Sequence, residues 1–314
     1  MIESRETYHI VVVGGSFAGL AAAMQLGRAR RRVLVVDAGK PRNRFTHASH
    51  GFLGQDGQSP TQILTGFRDQ VLSYPTVRFH AGEATTARQA DDGTFTVALA
   101  SGEQVRAERL ILATGVADEL PSMPGIEERW GVTVLHCPYC HGYEVADRRI
   151  GVLATSDRAV HLAMLLPDWS ADVTLFTNGA VDLSAEQQAS FAMRGVRIEP
   201  RAVVELVGSA PDLEAVRLSD DQLVEVDALF IGTRTHMTSG LAEQLGCEFD
   251  DGPFGPVVRT DINKETTVPG VYCAGDAART PHNATWAAAD GATAGVSAHR
   301  SLVFPSTPSL APRG

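Results

Sequence analysis

The chain has 314 residues, 44% hydrophobic and 20% charged, which suits roughly two globular domains and excludes a disordered, collagen-like or disulfide-stapled scaffold. Its net charge of −10 argues against a nucleic-acid partner held by positive field, and four cysteines are too few for a secreted disulfide framework. No apolar run approaches the ~18 residues of a membrane span, and the acidic start at residues 1–7 does not read as a signal peptide, so the expected location is cytoplasmic, with no membrane partner.

Residues 8–13 predict a β-branched strand, 14–19 a glycine-containing turn, 20–30 an Ala/Leu-rich helix, and 33–36 a second strand ending at Asp37. That order, over about 30 residues, has the size of a βαβ mononucleotide-binding half. Next, 79–83 and 94–100 read as antiparallel strands separated by Asp91-Asp92-Gly93, and 109–113 as an apolar strand running into Thr114-Gly115. The proline-rich 120–125 reads as a linker. A second strand, helix, strand unit follows at 150–153, 156–166 and 173–176. Further strands are expected at 228–231, ending at Gly232, and at 270–274, ending at Gly275-Asp276. A final helix runs from 285 to about 302, and 304–314, with three prolines, reads as a loose tail.

The first turn, Gly14-Gly15-Ser16-Phe17-Ala18-Gly19, departs from Gly-x-Gly-x-x-Gly only in placing Ser16 at the middle glycine. Its context is that of a dinucleotide site. A strand precedes it, a helix follows with unpaired N–H groups for a pyrophosphate, and Asp37 stands roughly 20 residues on, placed for a ribose hydroxyl. The second turn, Ala154-Thr155-Ser156, has no glycine, and Thr177-Asn178-Gly179 after the next strand has no Arg or Lys for a 2′-phosphate. Both features that NADPH needs are missing, so NADPH is not expected to be used; NADH through an unusual turn stays open.

Cys137-Pro138-Tyr139-Cys140 lacks the companion ligands of a zinc site, so no metal is expected. A dithiol reacts as thiolate, and His141 directly after the pair is the obvious base to promote it. Cys247 and Cys273 read as packing residues. His136 reads equally as a loop histidine, His282 and Asn283 as a polar helix entry or a site edge, and Tyr139, Tyr143 and Trp286 as packing or pocket walls.

Taken together, Ala113-Thr114-Gly115, the segment 267–276 closing on Gly275-Asp276, and the Cys137–Cys140 motif resemble the low-molecular-weight thioredoxin reductase family of flavoproteins over about residues 8–303. Cys-Pro-Tyr-Cys-His-Gly-Tyr-Glu at 137–144 looks closest to a branch of dithiol oxidases that close disulfides in natural products such as gliotoxin, holomycin and romidepsin. Thioredoxin reductases proper usually carry Cys-Ala-Thr-Cys followed by Asp, where this chain has His141.

The resemblance implies an α/β fold of two Rossmann-like three-layer domains. A discontinuous FAD domain would span 1–116 and 244–314, and an inserted domain, 117–243, would carry the redox pair. It further implies FAD held by Gly14, Ser16, Phe17, Ala18, Gly19, Asp37, Ala38, Lys40, Arg42, Asn43, His50, Ala113, Thr114, Gly115, Gly275, Asp276, Trp286 and Ala287. Cys140 would face the flavin and Cys137 would exchange with substrate, in a homodimer. The expected activity is oxidation of a small-molecule dithiol with dioxygen as acceptor. The alternatives are a disulfide reductase fed by NAD(P)H or a protein donor, and a flavin-bound redox sensor without turnover.

Overall fold

The computed structural model describes residues 7–304; residues 1–6 and the expected tail beyond Phe304 lie outside the described residues. The chain divides into two compact units, with boundaries after Arg42, Pro60, Ala117 and Arg234. The first unit runs up to Arg42, resumes over Thr61–Ala117 and again from Thr235; the second comprises Asn43–Pro60 and Asp118–Arg234. The last boundary thus lies nearer the N-terminus than the anticipated 243/244, and 43–60 groups with the second unit. Both later crossings fall within strands, Val116–Glu119 and Arg234–Met237, that pair with each other. Residues 120–125 therefore follow the crossing, and Leu120 and Met123 pack on a core of the second unit, so the segment is not a free linker.

The sheet of the first unit has the order Val77–Ala81, Val33–Asp37, Thr7–Val13, Gln104–Leu112, Phe95–Leu99, Ala84–Gln89, with Val271–Cys273 also pairing with Gln104–Leu112. Its centre is parallel, and Ile10 to Val12, Val33 to Val36 and Leu110 to Leu112 are buried without alternation, as a sheet covered on both faces requires. One pairing differs from expectation. Val77–Ala81 joins Val33–Asp37 in parallel, and the antiparallel partners of Phe95–Leu99 are Gln104–Leu112 and Ala84–Gln89. Only Ala87 of that strand is buried, so its sequence carries little apolar signal.

The helix Phe17–Arg28 begins three residues before the anticipated start, because extended Ser16 precedes it and the Leu20 N–H closes the first turn on Ser16 O at 2.9 Å. The final helix, Ala284–Val303, crosses it so closely that a Cβ on Gly291 would lie 1.9 Å from Ala18 O. That contact packs the first half of the final helix against the start of the first helix.

The second unit has a parallel sheet in the order Arg197–Glu199, Val173–Phe176, Ile150–Leu153, Ala228–Ile231, Val134–Leu135. A three-stranded antiparallel sheet joins it, Val203–Val207, Ala215–Leu218 and Leu223–Glu225. Its helix Arg158–Leu165 starts two residues late, after Asp157, and tightens into a 3₁₀ turn at Leu166–Asp168, where Pro167 cannot continue it. Both units are Rossmann-like α/β folds. No helix of the described residues is long and apolar enough to cross a membrane.

Candidate active site

The first turn is built around close backbone approach. Gly14 has φ 105°, and a Cβ there would sit 2.1 Å from Ala113 O, so only glycine lets Val13 lead into the turn beside Ala113-Thr114-Gly115. The Gly15 N–H donates to Asp37 Oδ1 at 2.9 Å, which ties the turn to the tip of the neighbouring strand. Ser16 makes no side-chain cap and the first turn of the helix holds no acidic residue, so the helix start offers N–H groups and a partial positive charge. This uncapped cradle, with its carboxylate one strand away, fits the pyrophosphate and ribose of a dinucleotide such as FAD.

Around it the first unit gathers most of the expected cofactor residues. Gly275, at φ 76°, brings Ala18 and Ala287 together, since a Cβ there would be 3.0 Å from one Cβ and 3.5 Å from the other. The Thr238 hydroxyl donates to Thr114 O at 2.7 Å and fixes the Thr-Gly segment. Arg42 donates to Asp276 Oδ2 at 3.1 Å and to His282 Nδ1 at 2.7 Å. A guanidinium has no acceptor, so His282 Nδ1 presents its lone pair and the ring proton of the neutral form lies on Nε2. Trp286, 43% exposed, lies under the Arg279 guanidinium at 5.1 Å. Asn283 is the cap of the final helix, accepting from the Thr285 N–H at 2.8 Å. Ala38 and Lys40 are exposed, Lys40 at 3.9 Å from Glu83.

Sequence reasoning missed a buried charge cluster on the final helix. The Asp290 carboxylate accepts from Lys264 at 2.9 Å and from Arg279 at 3.3 Å. Cys247 and Cys273 are core residues, as expected of packing thiols, and burial pushes both pKa values up.

In the second unit Cys137 and Cys140 form a disulfide. Pro138 opens a single helical turn, Pro138–His141, in which the Cys140 and His141 N–H groups both donate to Cys137 O, at 3.1 and 3.2 Å. The i, i+3 spacing puts both sulfurs on one side of that turn. Gly142 lets the chain pass Trp169, where a Cβ would meet Pro138 O at 2.6 Å, and Tyr139 packs edge-on to Trp169 at 5.5 Å. Tyr139 and Tyr143 are 74% and 83% exposed, so neither is core packing within the described chain. His136 stacks on Trp130 at 5.5 Å.

Burial lowers the His141 pKa, opposed by Glu144 and reinforced by His50. Asn43 and His50, expected among the cofactor residues, belong to this unit. Asn43 donates to the Ser49 hydroxyl at 3.1 Å, and His50 Nε2 lies 3.4 Å from Glu144 Oε1. Glu144 and His50 at the redox turn were not linked by any sequence spacing, because 94 positions separate them.

The turn of this unit is unlike the first. Thr155 Oγ1 and Arg158 Nη2 both donate to Gly232 O, at 3.3 and 2.8 Å. They bridge the carboxyl ends of Ile150–Leu153 and Ala228–Ile231, the crevice in which an open α/β sheet binds nucleotides. Asn178 Oδ1 accepts from the Val203 N–H at 2.9 Å, so the position that would need a cation for a 2′-phosphate is occupied in holding a turn.

Comparison with known proteins agrees with this architecture. The model of the pyridine nucleotide-disulphide oxidoreductase family matches residues 8–291. A solved oxidoreductase from Agrobacterium tumefaciens is 46% identical, with a TM-score of 0.91 over 96% of this chain and 100% of its own. HlmI is 39% identical, with a TM-score of 0.89 over 95% and 93% of the two chains. The thioredoxin reductase tcpT of Claviceps purpurea is 33% identical over 85% of each chain. The chain belongs to the pyridine nucleotide-disulphide oxidoreductase family and is an FAD-dependent thiol/disulfide oxidoreductase.

Proposed function

We propose that the chain oxidises a small-molecule dithiol to its disulfide, with Cys137 and Cys140 as the redox pair and His141 as base. The bridged second turn carries this reading: Arg158 and Thr155 meet on Gly232 O where a nicotinamide pyrophosphate would need open backbone. Without that entry for electrons the reaction is driven from the thiol side, and NADPH is not a substrate.

A substrate thiolate attacks Cys137, breaking the Cys137–Cys140 bond and releasing Cys140 as thiolate. His141 takes the proton of the second substrate thiol, whose sulfur then attacks the mixed disulfide, closes the substrate disulfide and releases Cys137. The substrate has lost two protons and two electrons, and the enzyme pair is reduced. When bound, FAD would supply a two-electron acceptor for the reduced pair, with dioxygen as the final acceptor and hydrogen peroxide as product. Gly14, Ser16, Phe17, Ala18 and Gly19 would hold the pyrophosphate, Asp37, Ala38 and Lys40 the adenosine end, and Arg42, Ala113, Thr114, Gly115, Gly275, Asp276, Trp286 and Ala287 the rest. The proposal includes a cytoplasmic homodimer.

Oxygen uptake with a panel of reduced dithiols, run with and without NADH and NADPH, tests it. Peroxide release with a dithiol alone is expected. Rapid anaerobic bleaching of the flavin by either nicotinamide cofactor would instead make the protein a reductase, as the name of tcpT states for that relative. Flavin binding without turnover of any dithiol would leave a redox sensor. Cys140→Ser should abolish flavin reduction by dithiol, and turnover that survives Cys137→Ser would reverse the assigned roles.

A further inference from the structure

His141 must become an imidazolium during the proposed cycle, in a half-buried position where burial opposes charge. The charged groups acting on it are Glu144, three residues on, and His50. His50 reaches this place from a small closed loop. Ser49 N–H donates to Gln58 O at 2.8 Å, Gly57 N–H to Ser49 O at 3.0 Å, and Gly51 N–H to Asp56 Oδ1 at 2.8 Å. His50 then stands between two carboxylates, Nδ1 at 3.6 Å from Asp56 and Nε2 at 3.4 Å from Glu144. Carboxylates and imidazoles thus alternate from Asp56, 67% exposed, through His50 and Glu144 to His141 beside the redox pair.

We propose that Glu144, held by His50, is a positioning residue for His141: it supplies the counter-charge for the imidazolium and the route by which its proton leaves the redox pair. The step it serves moves one proton, from a substrate thiol to the His141 ring and then past Glu144 to solvent; the electrons stay with the sulfur chemistry already described. This inference rests on His141 being the base of that cycle. It adds that the base reaches its full rate as half of a carboxylate–imidazole pair, and it explains why a loop distant in sequence is folded against the turn 137–144.

Alkylation of the reduced pair in the holoenzyme tests this without substrate turnover. Without air, the protein is fully reduced, flavin included, freed of reductant and treated with iodoacetamide over pH 5–9, with the labelled cysteine identified by peptide mass; Cys247 and Cys273 are too buried to compete. In Glu144→Gln the imidazolium loses its counter-charge, so alkylation of Cys137 at pH 7 should slow by about 3- to 10-fold and its pH midpoint rise. Glu144→Asp should restore most of the rate. In a His141→Gln background Glu144→Gln should have no further effect, because its action passes through the imidazole. An unchanged profile in Glu144→Gln, or an equal shift in the His141→Gln background, would overturn the inference. Failure of the dithiol oxidase reading shows elsewhere, as wild-type protein that takes up no oxygen with any dithiol.

Discussion

The two strand–turn–helix turns of this chain differ in what fills the space above them. In the first, backbone does: Gly14 passes under Ala113 O, and Asp37 holds the turn through the Gly15 N–H, leaving the helix start without a side-chain cap. In the second, side chain does. Arg158 and Thr155 reach across to Gly232 O and tie two strand ends together. The strands beneath are equally buried in both, so the two turns differ in how they are tied and not in the scaffold that carries them. What separates the two turns is a few atoms at the strand ends, not the fold.

The contrast breaks most severely at Gly14. Gly14→Val forces a β-branched residue to φ 105° and a Cβ onto Ala113 O, so holoenzyme purified from this variant should retain FAD at least about 100-fold less well, as strain of ~3 kcal/mol implies. Flavin absorbance per protein after gel filtration measures it, and full retention would remove the cradle from the first turn. Asp37→Asn is milder. It weakens one charge-assisted bond to Gly15, worth roughly 1.5–3 kcal/mol, and should raise the FAD dissociation constant about 10-fold.

The strands on either side of the two turns, and the difference in residue type between the turns, are legible in the sequence because they depend on residue types at fixed offsets. The strands at 150–153, 173–176 and 228–231 stand out as short apolar runs, and 154–156 differs from the first turn in having no glycine. Elements with weak apolar pattern were missed. Ala84–Gln89 buries one residue, and Pro60–Leu72 went unassigned. Ala185–Met193 could have been found, since Ser184 and Gln187 form a capping box. Pairings across distant chain segments were out of reach. Nothing in the spacing says that Arg42 meets Asp276 and His282, or that His50 meets Glu144, because these contacts are set by how loops close rather than by local periodicity.

If Arg158 is what fills the second turn, Arg158→Ala should sharpen the comparison from the other side. It removes one of two donors on Gly232 O, at a stability cost of ~0.5–1.5 kcal/mol, and uncovers the crevice. Nicotinamide nucleotides should then bind up to about 10-fold more tightly than to the native chain, still weakly, because no glycine lets them approach the backbone. Quenching of NADPH fluorescence reads this directly. Tight binding to the unaltered protein would show that Arg158 grips a ligand rather than replacing one.

The smallest expected effect concerns the redox turn of the same unit. Burial lowers the His141 pKa below that of an unfolded histidine, so between the two values the unfolded chain binds more protons and stability rises with pH. The protein should therefore hold its stability above about pH 6.5 and lose a part of it as the pH falls through the folded value. His9 and His299, in the first unit, are lowered by burial as well and contribute a slope of the same sign. His141→Gln should flatten the acid limb of the denaturation midpoint measured from pH 5 to 7, while the part due to His9 and His299 remains. A limb that does not flatten would mean that His141 is solvated like its unfolded form, and the counter-charge at Glu144 would then have no buried charge to answer.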